Sequence, residues 1–434
     1  MTLLAGSLFA AETETDEAAL VLANLSEFNE KAMPALDDRL SIEDCVHVAL
    51  VNNPQAVSAR LAVQSAAISL SNAKNALLPK ASASIGSQYT TSGGSGIDRV
   101  HNNSAQSSID AQLSISGLTD IGRNIRTQQL TLESSRMNLC ETENAIVSSV
   151  KSAYYALLAA QRTVEIRTQS RDLYQEQYAR TKAFYDQGLR PKVDVTTAEV
   201  DLNNAILSLI RATNLVKTRN AALANVMGVT HNKEFLLDDN IEKEDFPYSF
   251  EQALTQAYEN RPDVKASKLA LQIKDIQLTQ AKAAYFPTIT FGASYSKNGN
   301  DFQLDNNYTR LFAGAEIPIF TAFTVRNGVK QAKINLAAAQ NNDRSLANTV
   351  FLEVQNAFVK LNEAAESIPV AISNVEKAKE NMELAQGRYN EGIGDIIALK
   401  DAQVAYTDAE LSLLTARFDY AIALAELKKA MGTK

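Results

Sequence analysis

The sequence predicts a mainly α-helical protein with a small β part, in which one structural unit occurs twice. Three observations support this fold class: an internal duplication, two helical stretches of about 60 residues each, and four short runs of alternating apolar and polar residues. The composition agrees with it, because Trp is absent and Pro occurs only 9 times among 434 residues, which favours long helices.

The duplication is visible in matching anchor residues. Pro54 matches Pro262 at an offset of 208 residues, and the Tyr-x-x-Gly turn that ends at Gly188 recurs at Gly392, 204 residues further on. Self-similarity at a nearly fixed offset indicates that each copy is one structural unit. The sequence therefore predicts two equivalent repeats rather than two unrelated domains.

These anchors divide the chain into four parts. The first repeat covers residues 41–228 and the second covers residues 249–434, with an inter-repeat segment at 229–248. Residues 1–40 form an extension whose start, MTLLAGSLFAA, resembles the end of a secretory signal, an apolar stretch followed by small residues. An ordinary disordered N-terminus is the alternative for this extension.

The sequence predicts the same order of helices in both repeats. A short helix starts at Ser41 or Ser249 with a cap-like sequence that falls short of a full capping box. After a second helix and two β-like runs comes the stretch of about 60 residues, which would span about 90 Å and is typical of coiled coils and helical tubes. A turn near Gly188 or Gly392 then leads into a returning helix, so that each repeat predicts a long-helix hairpin.

The β-like runs lie at about 81–90, 107–116, 288–297 and 309–319. Each alternates with period two over about 9 residues, which is the length of a tilted membrane strand. Soluble hairpins packed on helices are the alternative, although two hairpins would leave open edges and little apolar mass. Four strands cannot close a membrane barrel, since the smallest barrels have eight. Membrane strands would therefore require several protomers that each contribute four.

Other functional classes find little support. The net charge is −8 without a long basic run, which argues against nucleic-acid binding. No apolar run reaches the 18 residues of a membrane helix. Walker A, GxSxG, HExxH and CxxC motifs are absent, so the sequence predicts neither an enzyme nor a cofactor. Cys45 and His47 are two residues apart and face different sides of a helix, which argues against a metal site.

In their order along the chain, these features resemble the TolC family of outer-membrane efflux channels over about residues 41–434. The resemblance rests on the Asn-Pro and Arg-Pro helix starts, the Leu-Pro and Phe-Pro strand entries, the segment PIFTAFTVRNGVKQA, the two Tyr-x-x-Gly turns and the Met-Gly helix ends. It implies a homotrimer in the outer membrane of a Gram-negative bacterium. Each protomer would donate four strands to a twelve-stranded β-barrel, with an α-helical barrel below it in the periplasm and an equatorial belt from residues 229–248.

The resemblance also implies a function. The trimer would be a passive exit duct without a cofactor, powered by an inner-membrane pump of the RND, ABC or MFS type through a periplasmic adaptor protein. Efflux of small molecules and type I secretion of proteins share every feature seen in the sequence. A coiled-coil structural or adhesive protein without a pore is the alternative from a different class, and membrane fractionation would separate it from a duct.

By the same resemblance, contacts between the hairpins hold the periplasmic mouth shut. The tyrosine of these contacts falls on Tyr389 and its aspartate partner in the first repeat on Asp194, beside the turns at Gly188 and Gly392. An arginine that some members use in the second turn is replaced here by Gly394. The resemblance thus predicts a periplasmic gate with fewer charged contacts.

The narrowest point of the pore is expected at Asp401. This residue matches one aspartate of the family's narrowest ring, whereas the second position of that ring is Ala398. Three copies of Asp401 around one pore would concentrate negative potential and favour cations. A solvated residue on a helix surface is the alternative for Asp401.

Overall fold

The computed structural model describes most of the chain, namely residues 39–92, 100–230, 233–238, 246–300, 306–391 and 393–433. The expected signal remnant lies outside these residues, and so does Gly392 of the second expected turn.

β1 (Arg39–Leu40) precedes the first repeat. The first repeat then consists, in chain order, of α1 (Ile42–Asn52), α2 (Pro54–Asn75), β2 (Lys80–Ser92), β3 (Val100–Ser116), α3 (Leu118–Asp186) and α4 (Lys192–Met227). β4 (Leu236–Leu237) lies in the segment between the repeats. The second repeat consists of α5 (Phe250–Asn260), α6 (Pro262–Ala283), β5 (Thr288–Asn300), β6 (Asn306–Glu316), α7 (Thr324–Asn390) and α8 (Ile396–Ala430).

The two repeats match element by element. The long helices α3 and α7 have 69 and 67 residues, and the returning helices α4 and α8 have 36 and 35. The predicted fold class, mainly α with a small β part and duplicated long-helix hairpins, is therefore confirmed. Among the described helices, none combines the length and the apolar character that crossing a membrane requires.

Both repeats begin with a full capping box, contrary to expectation. The Ser41 side chain accepts from the Asp44 N–H at 3.1 Å, and the Asp44 carboxylate accepts from the Ser41 N–H at 3.1 Å. Ser249 and Gln252 make the equivalent pair at 3.3 and 2.9 Å. The expectation was wrong because the residue that completes the box lies three positions after the cap rather than two.

The strands are longer than the alternation suggested. β2 and β3 pair without a break from Lys80 with Gln112 to Ser92 with Val100. The hydrogen-bond ladder thus extends beyond the alternating runs into the polar ends of both strands. The last strand ends earlier than expected, at Glu316. Pro318 explains this end, since proline has no N–H to donate to a ladder.

The four long strands form one antiparallel sheet in the order β2-β3-β5-β6. Its register places apolar residues together on one face: Ala83, Ile85, Ile109, Ala111, Leu113, Phe291, Ala293, Tyr295, Leu311 and Ala313. The opposite face carries Ser82, Ser84, Ser108, Asp110, Gln112, Thr290, Ser294, Ser296 and Arg310. Phe312 is an exception on the polar face, where its ring covers Gly292 so closely that a Cβ at Gly292 would overlap it.

The described chain forms two compact units. One contains residues 62–136 and 265–344, including the sheet, and the other contains residues 137–264 together with the chain up to residue 61 and from residue 345 onward. Each unit takes segments from both repeats.

The unit that contains residues 137–264 has two apolar cores, each built mainly from one repeat. The first core joins α1, α3 and α4 through Val48, Val150 and Leu223 and also includes Phe418 of α8. The second joins α5, α7 and α8 through Ala257, Val354 and Leu427. The short parallel pair of β1 and β4 borders the first core. The Tyr154 hydroxyl lies 3.1 Å from the carbonyl oxygen of Leu40 and 2.9 Å from that of Asp238, next to these two strands.

The ends of α4 and α8 pack on the turns that separate the short helices. Gly228 ends α4 with φ of 69°, and a Cβ there would lie 2.7 Å from the Asn52 carbonyl oxygen. Asn53 donates to the Val226 carbonyl at 2.8 Å. In the second repeat, Arg261 takes the place of Asn53 and donates to the Ala430 carbonyl at 3.1 Å. The same junction is thus neutral in one repeat and charged in the other.

Glu141 on α3 lies within this charged junction, and its ionisation is expected to destabilise the fold. Burial raises the pKa of the Glu141 carboxyl, and the carboxylates of Asp263 and Glu353 raise it against the opposing effect of Arg261. The stability that comes from protonating Glu141 is complete below the pKa of the unfolded chain and is lost as the pH rises through the folded-state pKa. Glu141→Gln should therefore raise the free energy of unfolding at neutral pH by roughly a few tenths of a kcal/mol, since solvent screens a half-exposed group.

Denaturation of the purified protein in detergent, measured at neutral and at mildly acidic pH, tests this expectation. The gain should shrink as the pH falls, because the wild-type carboxyl then becomes neutral too. Glu133→Gln, an exposed position on the same helix, is the matched control and should give no gain. A gain for Glu141→Gln of equal size at both pH values would contradict the electrostatic explanation.

Candidate functional site: the hairpin tips

The first hairpin turns at Gly188, where a left-handed residue ends α3. Gly188 has φ of 73°, its N–H donates to the Tyr185 carbonyl at 2.8 Å, and the Leu189 N–H donates to the Phe184 carbonyl at 2.9 Å. This pair of bonds is a Schellman motif, for which glycine is the preferred residue. Pro191 then precedes the first turn of α4 in an extended conformation. The local sequence therefore explains the turn.

The second hairpin makes the equivalent turn. The N–H groups of Ile393 and Gly394 donate to the Arg388 carbonyl at 3.1 and 2.9 Å, although Gly392 itself lies outside the described residues. Asp395 begins α8 as its N-cap, and its side chain accepts from the Ile397 N–H at 3.4 Å. Asp395 thus stabilises the start of a helix.

Tyr389 is fully buried where the two hairpins meet. Its ring packs in an apolar cluster with Ala198 and Leu399, and its hydroxyl lies 3.1 Å from the Thr181 hydroxyl on α3. In the same layer, Arg180 on α3 donates to the Asn390 side chain on α7. The tyrosine that the family resemblance singled out therefore links the first hairpin to the second.

Arg190 connects Tyr389 with Asp194. Its guanidinium carbon lies 4.9 Å from the centre of the Tyr389 ring, and its Nη1 lies 3.9 Å from the Asp194 carboxylate. The guanidinium also donates to the Gly394 carbonyl at 3.4 Å. One side chain from the first turn therefore contacts a ring, a carboxylate and the backbone of the second turn.

This arrangement explains the glycine at the expected arginine position. A Cβ at Gly394 would lie 2.7 Å from the Tyr389 nitrogen, so that a larger residue there requires the backbone to shift. The cation comes from Arg190 on the opposite turn instead. Sequence analysis missed Arg190, although a visible signal existed, namely a basic residue two positions after the turn glycine Gly188.

Asp401 lies on an exposed face of α8, which it shares with Ile397 and Val404. The position of Ala398 is exposed as well. The neighbouring Lys400 points to the other hairpin, where its ammonium lies 2.7 Å from the carboxylate of Asp201 on α4. The structure therefore separates Asp401 from the contacts around Tyr389 and adds an ion pair that sequence analysis did not predict.

The described residues contain no group of three or more His, Cys, Asp and Glu side chains that could hold a metal ion. Cys45 belongs to the apolar core of the first repeat, where burial raises the pKa of its thiol to about 12. Its surroundings are therefore those of a packed core residue.

Comparison with known proteins identifies the family to which this chain belongs. The model of the family described as outer membrane efflux protein matches residues 45–229 and 253–433, one segment in each repeat. The outer membrane protein TolC of Escherichia coli is 21% identical over 407 residues, which cover 89% of this chain and 80% of that protein. Nodulation protein T of Rhizobium leguminosarum is 25% identical over 404 residues, which cover 87% of this chain and 84% of that protein.

Solved structures share the fold. The CmeC outer membrane channel of Campylobacter jejuni superposes with a TM-score of 0.78 at 18% identity, covering 90% of this chain and 85% of that one. The open state of the MtrE outer membrane channel of Neisseria gonorrhoeae gives a TM-score of 0.75 at 21% identity, covering 90% and 89%. Identities this low support the fold alone.

The family match confirms the predicted resemblance, the transport role and the location in the outer membrane of a Gram-negative bacterium. The relatives are efflux channels rather than enzymes, which favours a channel over the alternative of a coiled-coil structural protein. The chain belongs to the outer membrane efflux protein family and is an outer membrane efflux channel.

Proposed function

We propose that this chain is one protomer of a homotrimeric, passive exit duct that is gated at its periplasmic end. An inner-membrane pump of the RND, ABC or MFS type drives export through it by way of a periplasmic adaptor protein. The two repeats, residues 41–228 and 249–434, each supply one hairpin to the periplasmic α-helical barrel, and residues 229–248 supply the equatorial belt. The substrate is either small molecules or, in a type I system, proteins.

The proposal of a trimer rests on one observation, the exposed apolar face of the four-stranded sheet. Its apolar face is exposed in the isolated chain, where Ile85 is 75%, Phe291 58% and Leu311 79% accessible. Soluble proteins avoid apolar patches of this kind, whereas lipid-facing strands require them. Four strands with outer strands β2 and β6 are too few to close a membrane barrel, since the smallest have eight. Three copies give twelve strands, with the serine-rich face toward the lumen.

The contacts at the hairpin tips support a gate at this end of the duct. Tyr389 and Asp194 are joined through Arg190, so that the closed mouth is held by a buried ring and a half-buried cation. The turn at Gly188, and the bonds from the Ile393 and Gly394 N–H groups to the Arg388 carbonyl in the second hairpin, bring these residues together. Asp401 lies outside this contact layer on an exposed helix face, which suits a residue that faces the pore.

Neutralising Asp401 tests the pore. In planar lipid bilayers, Asp401→Asn should reduce the preference of the channel for cations, and the difference should diminish at high salt, where charges are screened. Glu376→Gln makes the same charge change at an exposed position of α7 and serves as the control. Unchanged ion selectivity in Asp401→Asn would refute its place in the pore, and a protein that neither reaches the outer membrane nor migrates as a trimer would refute the duct.

A further inference from the structure

Asp201 and Lys400 form an ion pair between the two repeats. Their closest atoms are 2.7 Å apart, with Asp201 on α4 and Lys400 on α8. The Asp201 side chain is only 8% exposed, whereas that of Lys400 is 39% exposed. A buried carboxylate needs a partner, because an unpaired charge away from water is costly.

The ion pair lies in a polar layer between α3, α4 and α8. A pocket of about 200 Å³ adjoins it, lined among others by Arg167, Tyr174 and Asp408. Burial raises the pKa of Tyr174 to about 12, and the carboxylates of Asp201 and Asp408 contribute to this rise. Tyr174 is therefore neutral at physiological pH, and Lys400 is the cation in direct contact with the Asp201 carboxylate.

The position of the pair along the helices separates it from the tip contacts. Asp201 is about two helical turns beyond Asp194 on α4, and Lys400 is about one turn beyond Ile396 on α8. Lys400 also directly precedes Asp401. Since its ammonium binds Asp201, it does not neutralise the exposed Asp401 beside it.

We propose that the Asp201–Lys400 ion pair is a second lock of the periplasmic gate, which holds α8 of the second repeat against α4 of the first. The proposal rests on the gated duct described above. Separation of the two helices breaks the pair, lets Lys400 reach water and hydrates Asp201. The lock therefore acts on the equilibrium between closed and open states, independently of the contacts that Arg190 makes at the tips.

Single neutral substitutions test the lock in the full-length trimer reconstituted in planar bilayers. Asp201→Asn and Lys400→Gln should each raise the ratio of open to closed time, by about tenfold for Lys400→Gln, because it leaves Asp201 buried without its cation. Asp201→Asn should have the smaller effect, because the Lys400 side chain that it frees is partly solvated already. The double variant should open no more than Lys400→Gln alone, as expected for two residues that act as one pair.

The two single variants change the net charge in opposite directions, which separates the lock from a general charge effect. If the surface charge near the pore governed opening, Asp201→Asn and Lys400→Gln would shift the open ratio in opposite directions, and that result would overturn the lock. Lys360→Gln removes a cation whose partner, Glu426, belongs to the same repeat, and it should leave gating unchanged.

Failure of the lock is distinguishable from failure of the duct. If variants of Arg190 open the channel and those of Asp201 and Lys400 do not, the lock is overturned and the gate stands. If the wild-type trimer forms no channels, the proposed duct itself is wrong, and the lock with it. If Lys400→Gln fails to assemble, the open ratio of Asp201→Asn alone tests the lock, because this substitution leaves no buried charge without a partner.

Discussion

Arg190→Leu should open the channel at its periplasmic end. The substitution removes the cation that stacks on Tyr389 at 4.9 Å and pairs with Asp194 at 3.9 Å, and it leaves a shorter, uncharged side chain. Stacking of a cation on a buried ring stabilises by about 2 kcal/mol, which corresponds to roughly a thirtyfold change in an equilibrium. We therefore expect the ratio of open to closed time in planar bilayers to rise by about that factor or more.

Three further variants make this test specific. Arg190→Lys should open the channel less, because it keeps the charge beside Asp194 but cannot stack and donate from a planar fork. Tyr389→Phe should also have a smaller effect, since it removes only the hydrogen bond to Thr181, worth about 1 kcal/mol. Lys377→Gln removes an exposed cation whose ion pair with Glu380 stays within α7, and gating should not change. An Arg190→Leu channel with wild-type open times would disprove the bridge.

Arg261→Met is expected to cause the largest loss of stability. The Arg261 side chain is 7% exposed, forms a two-point contact with Asp263 at 2.7 and 3.0 Å, and donates to Glu353 at 2.7 Å. It also donates to the Ala430 carbonyl in the last turn of α8. Removing the cation leaves the carboxylates of Asp263 and Glu353 without it, and because their side chains are 24% and 50% exposed, water reduces the cost to about 2–3 kcal/mol. Chemical denaturation in detergent should show a loss of this order.

The equivalent junction of the first repeat is the matched control. Asn53→Ala removes two neutral hydrogen bonds of 2.8 Å, one donated to the Val226 carbonyl and one accepted from the Gln55 N–H, so the loss should be about 1–2 kcal/mol. Adding Asp263→Asn and Glu353→Gln to Arg261→Met should recover part of the stability, because no charge then remains without a partner. If Arg261→Met and Asn53→Ala destabilised the protein equally, the buried charge would not be the cause.

Local sequence signals predicted most elements of the fold. Gly188 and Gly228 were expected to end helices, and both adopt the left-handed conformation that glycine favours. The alternating runs predicted four strands, and the register places their apolar residues on one face. The strand ends were less predictable, because polar residues continue a ladder as well as apolar ones, and only Pro318 marks an end chemically.

The candidate site was predictable only in part. The resemblance identified Tyr389 and Asp194, but neither Arg190 nor the pair of Asp201 and Lys400. A cation in a turn has no local signature that reveals its partners, and Asp201 and Lys400 are almost 200 residues apart in the chain. Their pairing depends on how α4 and α8 pack, which periodicity within either helix does not specify.

The sequence by itself determined the duplication, the long-helix hairpins, the four amphipathic strands and hence the family. The helices, strands and turns depend on short-range patterns, because helix and strand periods, turn glycines and proline positions act within a few residues. The duplication is visible because the same patterns occur in both halves of the chain. Only the tertiary structure decided which charges meet: Arg190 with Tyr389, Lys400 with Asp201, and Arg261 with Asp263 and Glu353. Except for Arg261 and Asp263, these partners lie far apart in sequence, and they are selected by burial, which makes an unpaired charge too costly to tolerate.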